Sequence, residues 1–181
     1  TFITMSSELR VDKIIPTGGA PTGGGGGIIQ IKNTIKTDTF TTTSTSSVDI
    51  TGFSATITPK FSTSKILVCV DIGILSGSGA NGGYVVLLRG STAIANTTIG
   101  SGNANSRSAF TSGVGGGLSD NPRKMTTGGI SFLDSPATTS AVTYKCQLSS
   151  SNSSYTVYFN RWGENTDNAS VSTITLMEVS A

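Results

Sequence analysis

Gly77, Gly79 and Gly82 follow an apolar stretch with the spacing G-x-G-x-x-G, a pattern that can cradle a dinucleotide pyrophosphate where a helix begins. The residues that follow, Tyr84 to Leu88, read as a strand instead, and no βαβ unit surrounds them, so nucleotide binding is not expected. The chain contains no histidine, which removes the usual general base and the commonest metal ligand. Carboxylate and lysine chemistry remain. The 10 acidic residues are scattered, with no recognisable pair and no D-x-D-x-D-G loop, so neither an enzyme nor a cofactor is expected. Backbone carbonyls with Asp134 or Asp167 would hold Ca²⁺ without leaving a motif, and that question stays open.

Cys69 and Cys146 each lie inside an apolar strand pattern and read as reduced, buried small hydrophobes rather than as a disulfide. Asn96, Asn152 and Asn168 head N-x-S/T triplets, which a chain this rich in Asn, Ser and Thr produces by chance. Arg161, Trp162, Glu164, Asn165 and Asp167 share one loop that holds the only tryptophan. That loop packs on a subunit boundary, or it offers a stacking platform for a sugar or a protein.

The elements that must position these residues are short strands. Val68, Val70, Ile72 and Ile74 recur at every second residue, the period that puts side chains on one face of a strand. Ile28–Ile35, Thr39–Thr43, Val48–Pro59, Tyr84–Leu88, Ile130–Phe132, Tyr155–Phe159 and Val171–Val179 read as further strands. Along Ala141 to Leu148, Val142, Tyr144, Cys146 and Leu148 point inward while Thr143, Lys145 and Gln147 face water. Gly, Ser, Asn and Pro separate the strands, and no helical period of ten or more residues occurs. The fold class is all-β, an antiparallel sandwich or jelly roll.

At 181 residues the chain suits one domain with an arm. Residues 1–15 form the arm and residues 16–27 a Pro/Gly-rich linker with five consecutive glycines, leaving residues 28–181 as the head. Leu9, Val11, Ile14 and Ile15 stand apart from the main core and are expected to dock on a partner. Only 12% of residues are charged and the net charge is +2, with no basic run, so nucleic acid is not an expected partner. No apolar run is long enough to span a membrane, and the first ten residues lack signal-peptide regions, so a soluble chain not exported by the Sec route is expected unless a leader was removed.

Two strands are apolar on both faces. Leu67, Cys69 and Leu75 lie on the face opposite Val68, Val70, Ile72 and Ile74 within the stretch Ile57 to Leu75, and Tyr84 to Leu88 is apolar throughout. With no helix to cover a second face, Leu67, Cys69, Val85, Leu87, Met177 and Val179 are expected at a subunit interface. A three-fold arrangement with one sheet of each head facing the axis would bury them, although a bulge near Leu176 and Met177 would account for the last strand alone.

The segments S-S-E-L-R-V-D-K-I-I-P-T-G-G in the arm, and A-T-I-T-P-K-F-S-T-S-K-I-L-V, L-L-R-G-S-T-A-I, S-F-L-D-S-P-A-T-T-S-A-V-T-Y-K-C-Q and S-T-I-T-L-M-E-V in the head, are spread along most of the chain. Together they resemble small structural proteins of tailed bacteriophages, particularly marine and cyanobacterial ones, with a C1q/tumour-necrosis-factor-like jelly-roll head. The resemblance implies a homotrimeric, tail-fibre-like virion protein, assembled in the host cytoplasm and anchored through its arm to other virion proteins. It also implies distal loops presented to host surface glycan or protein, with Asn81, Asn103, Asn105, Arg107, Arg161, Trp162 and Asn165 as candidates. A capsid decoration protein whose arm clamps capsid subunits is the alternative. A secreted C1q-like binding module would require a cleaved leader.

Overall fold

A computed structural model describes residues 27–78, 82–95, 125–163 and 168–180, with the backbone of 111–112. The arm residues Leu9, Val11, Ile14 and Ile15, and the loop candidates Asn81, Asn103, Asn105, Arg107 and Asn165, lie outside the described residues. Among the described residues every regular element is a strand. These are β1 (Ile28–Lys36), β2 (Phe40–Thr42), β3 (Val48–Ile57), β4 (Lys65–Gly77), β5 (Gly83–Arg89), β6 (Thr92–Ile94), β7 (Thr111–Ser112), β8 (Met125–Asp134), β9 (Val142–Ser150), β10 (Val157–Phe159) and β11 (Ser172–Val179).

All pairings are antiparallel and fall into two sheets, consistent with a β-sandwich. In the first sheet β4 is central, because its residues 66 to 71 pair with β8 on one edge and β11 on the other. β1 lies outside β11, and the short β10–β2 pair replaces β11 beside residues 75 to 77 of β4. The second sheet runs β3-β9-β5-β6, with β7 on the other part of β5. The pairing is nested, since β5 joins β6 while β4 joins β8, β3 joins β9 and β1 joins β11. Each pair encloses the one before it along the chain.

The core lies between the sheets. From β4 it takes Ile66, Val68, Val70, Ile72 and Leu75, and from the facing sheet Phe53, Ile57, Val85, Leu87, Tyr144, Cys146 and Leu148, all at most 3% exposed. Phe53 and Phe159 meet across it with ring centroids 5.2 Å apart. The inward set of β9 matches its alternation in the sequence, whereas β4 departs from its own. Ile72 opposes Gly128 but Leu75 opposes Thr126, so one extra residue sits in β4 and inverts the alternation. Leu75, expected outward, is therefore core, and Ile74 is only half-buried. Gly73 marks the irregularity, because a side chain there would overlap Ser170 and the carbonyl of Val171.

Polar groups close the margins of this core. Asp134 on β8 accepts Arg89 Nη1 at 2.8 and 2.9 Å and the Tyr144 hydroxyl at 2.7 Å, tying one sheet to the other. Side chains of β1 donate to carbonyls of β3 and the residue after it: Gln30 to Thr58, Thr34 to Ser54 and Lys36 to Thr51. These bonds occupy edge acceptors of β3 that would otherwise invite another strand. Glu178, buried on the inward side of β11, accepts Gln30 Nε2 at 2.5 Å and the Lys60 amide at 2.6 Å.

Burial raises the affinity of Glu178 for a proton, but hydrogen bonds from Gln30 and the amides of Lys60 and Phe61 outweigh it and hold its carboxyl below the ordinary value. A lowered folded pKa contributes stability that is complete above the unfolded value near 4.5 and is lost as pH falls through the folded one. Glu178→Gln should therefore cost about 1–3 kcal/mol at pH 7 and narrow its gap to the wild type as pH drops below 4.5. Urea unfolding at pH 7 and pH 3 checks this, and a gap that stays constant with pH would contradict it.

Candidate functional site

Alternation along four neighbouring strands builds one outward face on the β4 sheet. Register places Ile31, Met177, Leu67 and Leu133 side by side in a row across β1, β11, β4 and β8. With strands about 4.8 Å apart, the row spans about 14 Å. The next row is Asn33, Thr175, Cys69 and Ser131, and the one after it Ile35, Thr173, Asp71 and Gly129. Small hydroxyl and amide groups thus separate the apolar positions, and Cys69 Sγ lies 3.6 Å from Ser131 Oγ.

Leu67, Cys69, Met177 and Val179 all lie on this face and are half-buried by their neighbours on the sheet. Val85 and Leu87 do not. Both are fully enclosed between the sheets, so they form core and not a subunit interface. β5 is apolar on both sides, and Tyr84, Val86 and Leu88 are the residues that point the other way. No register shift falls at Leu176 or Met177, so a bulge does not explain the outward apolar side of β11.

The face holds residues that the sequence reading passed over. Ile31, Ile35 and Leu133 are each at least half exposed and flank the half-buried centre. Their signal was present: Ile31 and Ile35 are four apart on one strand, and Leu133 stands beside the inward Phe132 position. What hid them was ignorance of which strands lie together.

The two ends of the molecule differ. Gly27, where the linker enters, exchanges hydrogen bonds with Ser180 beside the Val179–Lys65 end of the sheet. Exposed Ile28, Ile31, Phe61 and Leu133 gather toward this end. The residues flanking segments 79–81, 113–124 and 164–167 lie at the other end, where Ser76 pairs with Met125, Gly77 with Val157 and Tyr84 with Ser112. The 13 residues of β4 put about 40 Å between the two.

Arg161 and Trp162 are at this second end, both half-buried. The Arg161 guanidinium sits 4.8 Å from the Tyr158 ring centre, its carbonyl accepts Ser76 Oγ at 2.9 Å, and the Trp162 amide donates to Asn168 at 3.0 Å. As for other chemistry, burial pushes the Cys146 thiol well above its ordinary range, so it is no nucleophile. Asp134, raised above as a Ca²⁺ ligand, is engaged by Arg89 and Tyr144; Asp167 lies outside the described residues. Among the described residues no group of three acidic or cysteine side chains is placed to hold a metal.

No protein-family model matches the chain, and no curated protein resembles it significantly.

Core and face separate cleanly under mutation. Leu87→Ala should cost about 2–5 kcal/mol of folding stability through transfer and cavity terms. Leu67→Ser and Met177→Ser on the outward face should cost under about 1 kcal/mol in the monomeric chain. Denaturant midpoints at low protein concentration measure both, and equal losses at Leu87 and Leu67 would contradict the assignment of faces.

Proposed function

We propose that the chain is a non-enzymatic structural protein of a tailed-phage virion, a homotrimeric, tail-fibre-like component that contributes to host attachment. The observation that carries this reading is the apolar outer face of the β4 sheet. Four neighbouring strands present Ile31, Met177, Leu67 and Leu133 in one row, and no helix among the described residues covers them. Exposed large apolar side chains gathered on one face cost stability and invite association, and burying each is worth roughly 1.5–3 kcal/mol. Copies of the same chain related by a three-fold axis remove that cost without any further element.

The nested pairing of β1 with β11, β3 with β9, β4 with β8 and β5 with β6 supports a jelly roll, and with it the likeness to C1q/tumour-necrosis-factor heads. The separation of ends supports the rest of the reading. Gly27 lies at one end and the residues flanking segments 79–81, 113–124 and 164–167 at the other, so a head anchored through Leu9, Val11, Ile14 and Ile15 would turn its loops away from the particle. Loops carried on a rigid scaffold are where recognition usually resides.

The arm should capture a tail adaptor or fibre protein from disrupted virions when residues 1–27 are used as bait. Leu9→Asp and Val11→Asp should abolish capture. Retention of capsid protein instead would favour the cement role, and retention of no virion protein would contradict the anchored model.

A further inference from the structure

Exposure divides the outward face of the β4 sheet into a centre and two flanks. Leu67, Cys69, Thr175 and Met177 on the central strands are half-buried, whereas Ile31 and Asn33 on β1 and Ser131 and Leu133 on β8 are exposed. The flanks lie three strand spacings apart, about 14 Å. One copy of the chain therefore cannot bring its own β1 flank to its own β8 flank.

Pairing register sets the two flanks level with each other, and the levels match in chemistry. Ile31 and Leu133 share the first, both large, aliphatic and at least half exposed. Asn33 and Ser131 share the second. Asn33 Nδ2 donates to Thr175 Oγ1 at 2.7 Å and to the Ile174 carbonyl at 3.4 Å, so Oδ1 is left as an acceptor with no donor among the described residues. Ser131 Oγ has Cys69 Sγ beside it at 3.6 Å, and with the thiol as donor there its own hydroxyl proton is left to give. At the third level Gly129 is required by its own sheet, since a Cβ there would stand 2.9 Å from the Val70 carbonyl, and it says nothing of a neighbour.

We propose that copies of the chain join flank to flank, with Ile31 of one against Leu133 of the next and Asn33 Oδ1 accepting the Ser131 hydroxyl across the boundary. This rests on the reading of the face as a trimer contact. A rotation axis running along the strands keeps every level at its own height, so apolar meets apolar and acceptor meets donor at each boundary. It also leaves Gly27 of every copy at one end, as a common anchor for the arms requires. Reversed copies would set Lys65 of one toward Asp71 of the other, but that arrangement lays the row of Ile31 and Leu67 on the row of Asn33 and Cys69, apolar on polar. A hydrogen bond within an otherwise apolar contact fixes register more than it adds affinity, and this one would set the height at which neighbouring copies meet.

The full-length Cys69→Ser protein carrying Asn33→Cys and Ser131→Cys should be oxidised and run on a non-reducing gel, with the solution mass measured in parallel. Within one chain the two positions are too far apart for a disulfide, which needs Cα atoms under about 7 Å apart. A covalent trimer that reverts to single chains on reduction is the expected result, and neither single substitution should give it. In the Cys69 wild-type background, Asn33→Lys and Ser131→Asp should each weaken trimerisation about tenfold or more, and together restore it to within about threefold, because the new charges would meet across the boundary. A trimer by mass that gives no cross-link, or charge variants whose effects simply add, would overturn the pairing. A wild-type monomer with no cross-link would sink the self-association reading and the pairing with it. A covalent dimer from a dimeric protein would uphold the pairing and sink the three-fold reading.

Discussion

The two-residue period of β4 governs the molecule. One set of its side chains, Ile66, Val68, Val70 and Ile72, fills the space between the sheets, and the set between them, Leu67, Cys69 and Asp71, must face away. Because β4 is paired on both edges along this length, its outward residues align with those of β1, β11 and β8 into continuous rows. A strand apolar on one side only would give an ordinary half-wet sheet. Here Leu67 and Cys69 make part of the second side apolar too, and in the proposed trimer association covers it.

The interior depends on polar groups at its margins. Asp134 with Arg89 and Tyr144, Glu178 with Gln30 and Lys60, and Asn160 with Ser172 and Lys36 each join segments distant in the chain. Each satisfies buried donors or acceptors that would otherwise be stranded. They also fix register, since a one-residue slip of β11 would turn Glu178 outward and Met177 inward. The extra residue at Gly73 and Ile74 serves the same order, because it falls where β4 exchanges β11 for β10.

The fold class was legible because the strands announce themselves by alternation and turn residues, and the clean alternation of β9 gave its buried face without error. The outward faces of β4 and β11 were legible for the same reason. Val85 and Leu87 were not, because a strand apolar on both sides carries no sign of which side is inward. Leu75 misled through a bulge that leaves no mark beyond a single glycine. Ile31, Ile35 and Leu133 joined the face only through pairings of residues far apart in the chain, which local pattern does not encode. Asn160 likewise gained its bonds to Lys36 and Ser172 from a meeting of segments that no motif predicts.

The surface that follows from this order is the outward face of the β4 sheet, and the account stands or falls on it. Its most direct test is the solution mass by light scattering of the full chain and of the chain without residues 1–27, each also as the Leu67→Asp, Met177→Asp double variant. A trimer that survives loss of the arm and falls to folded monomers in the double variant is the predicted result. A monomer in every case, or a trimer indifferent to the double substitution, would contradict the assignment of this face to self-association.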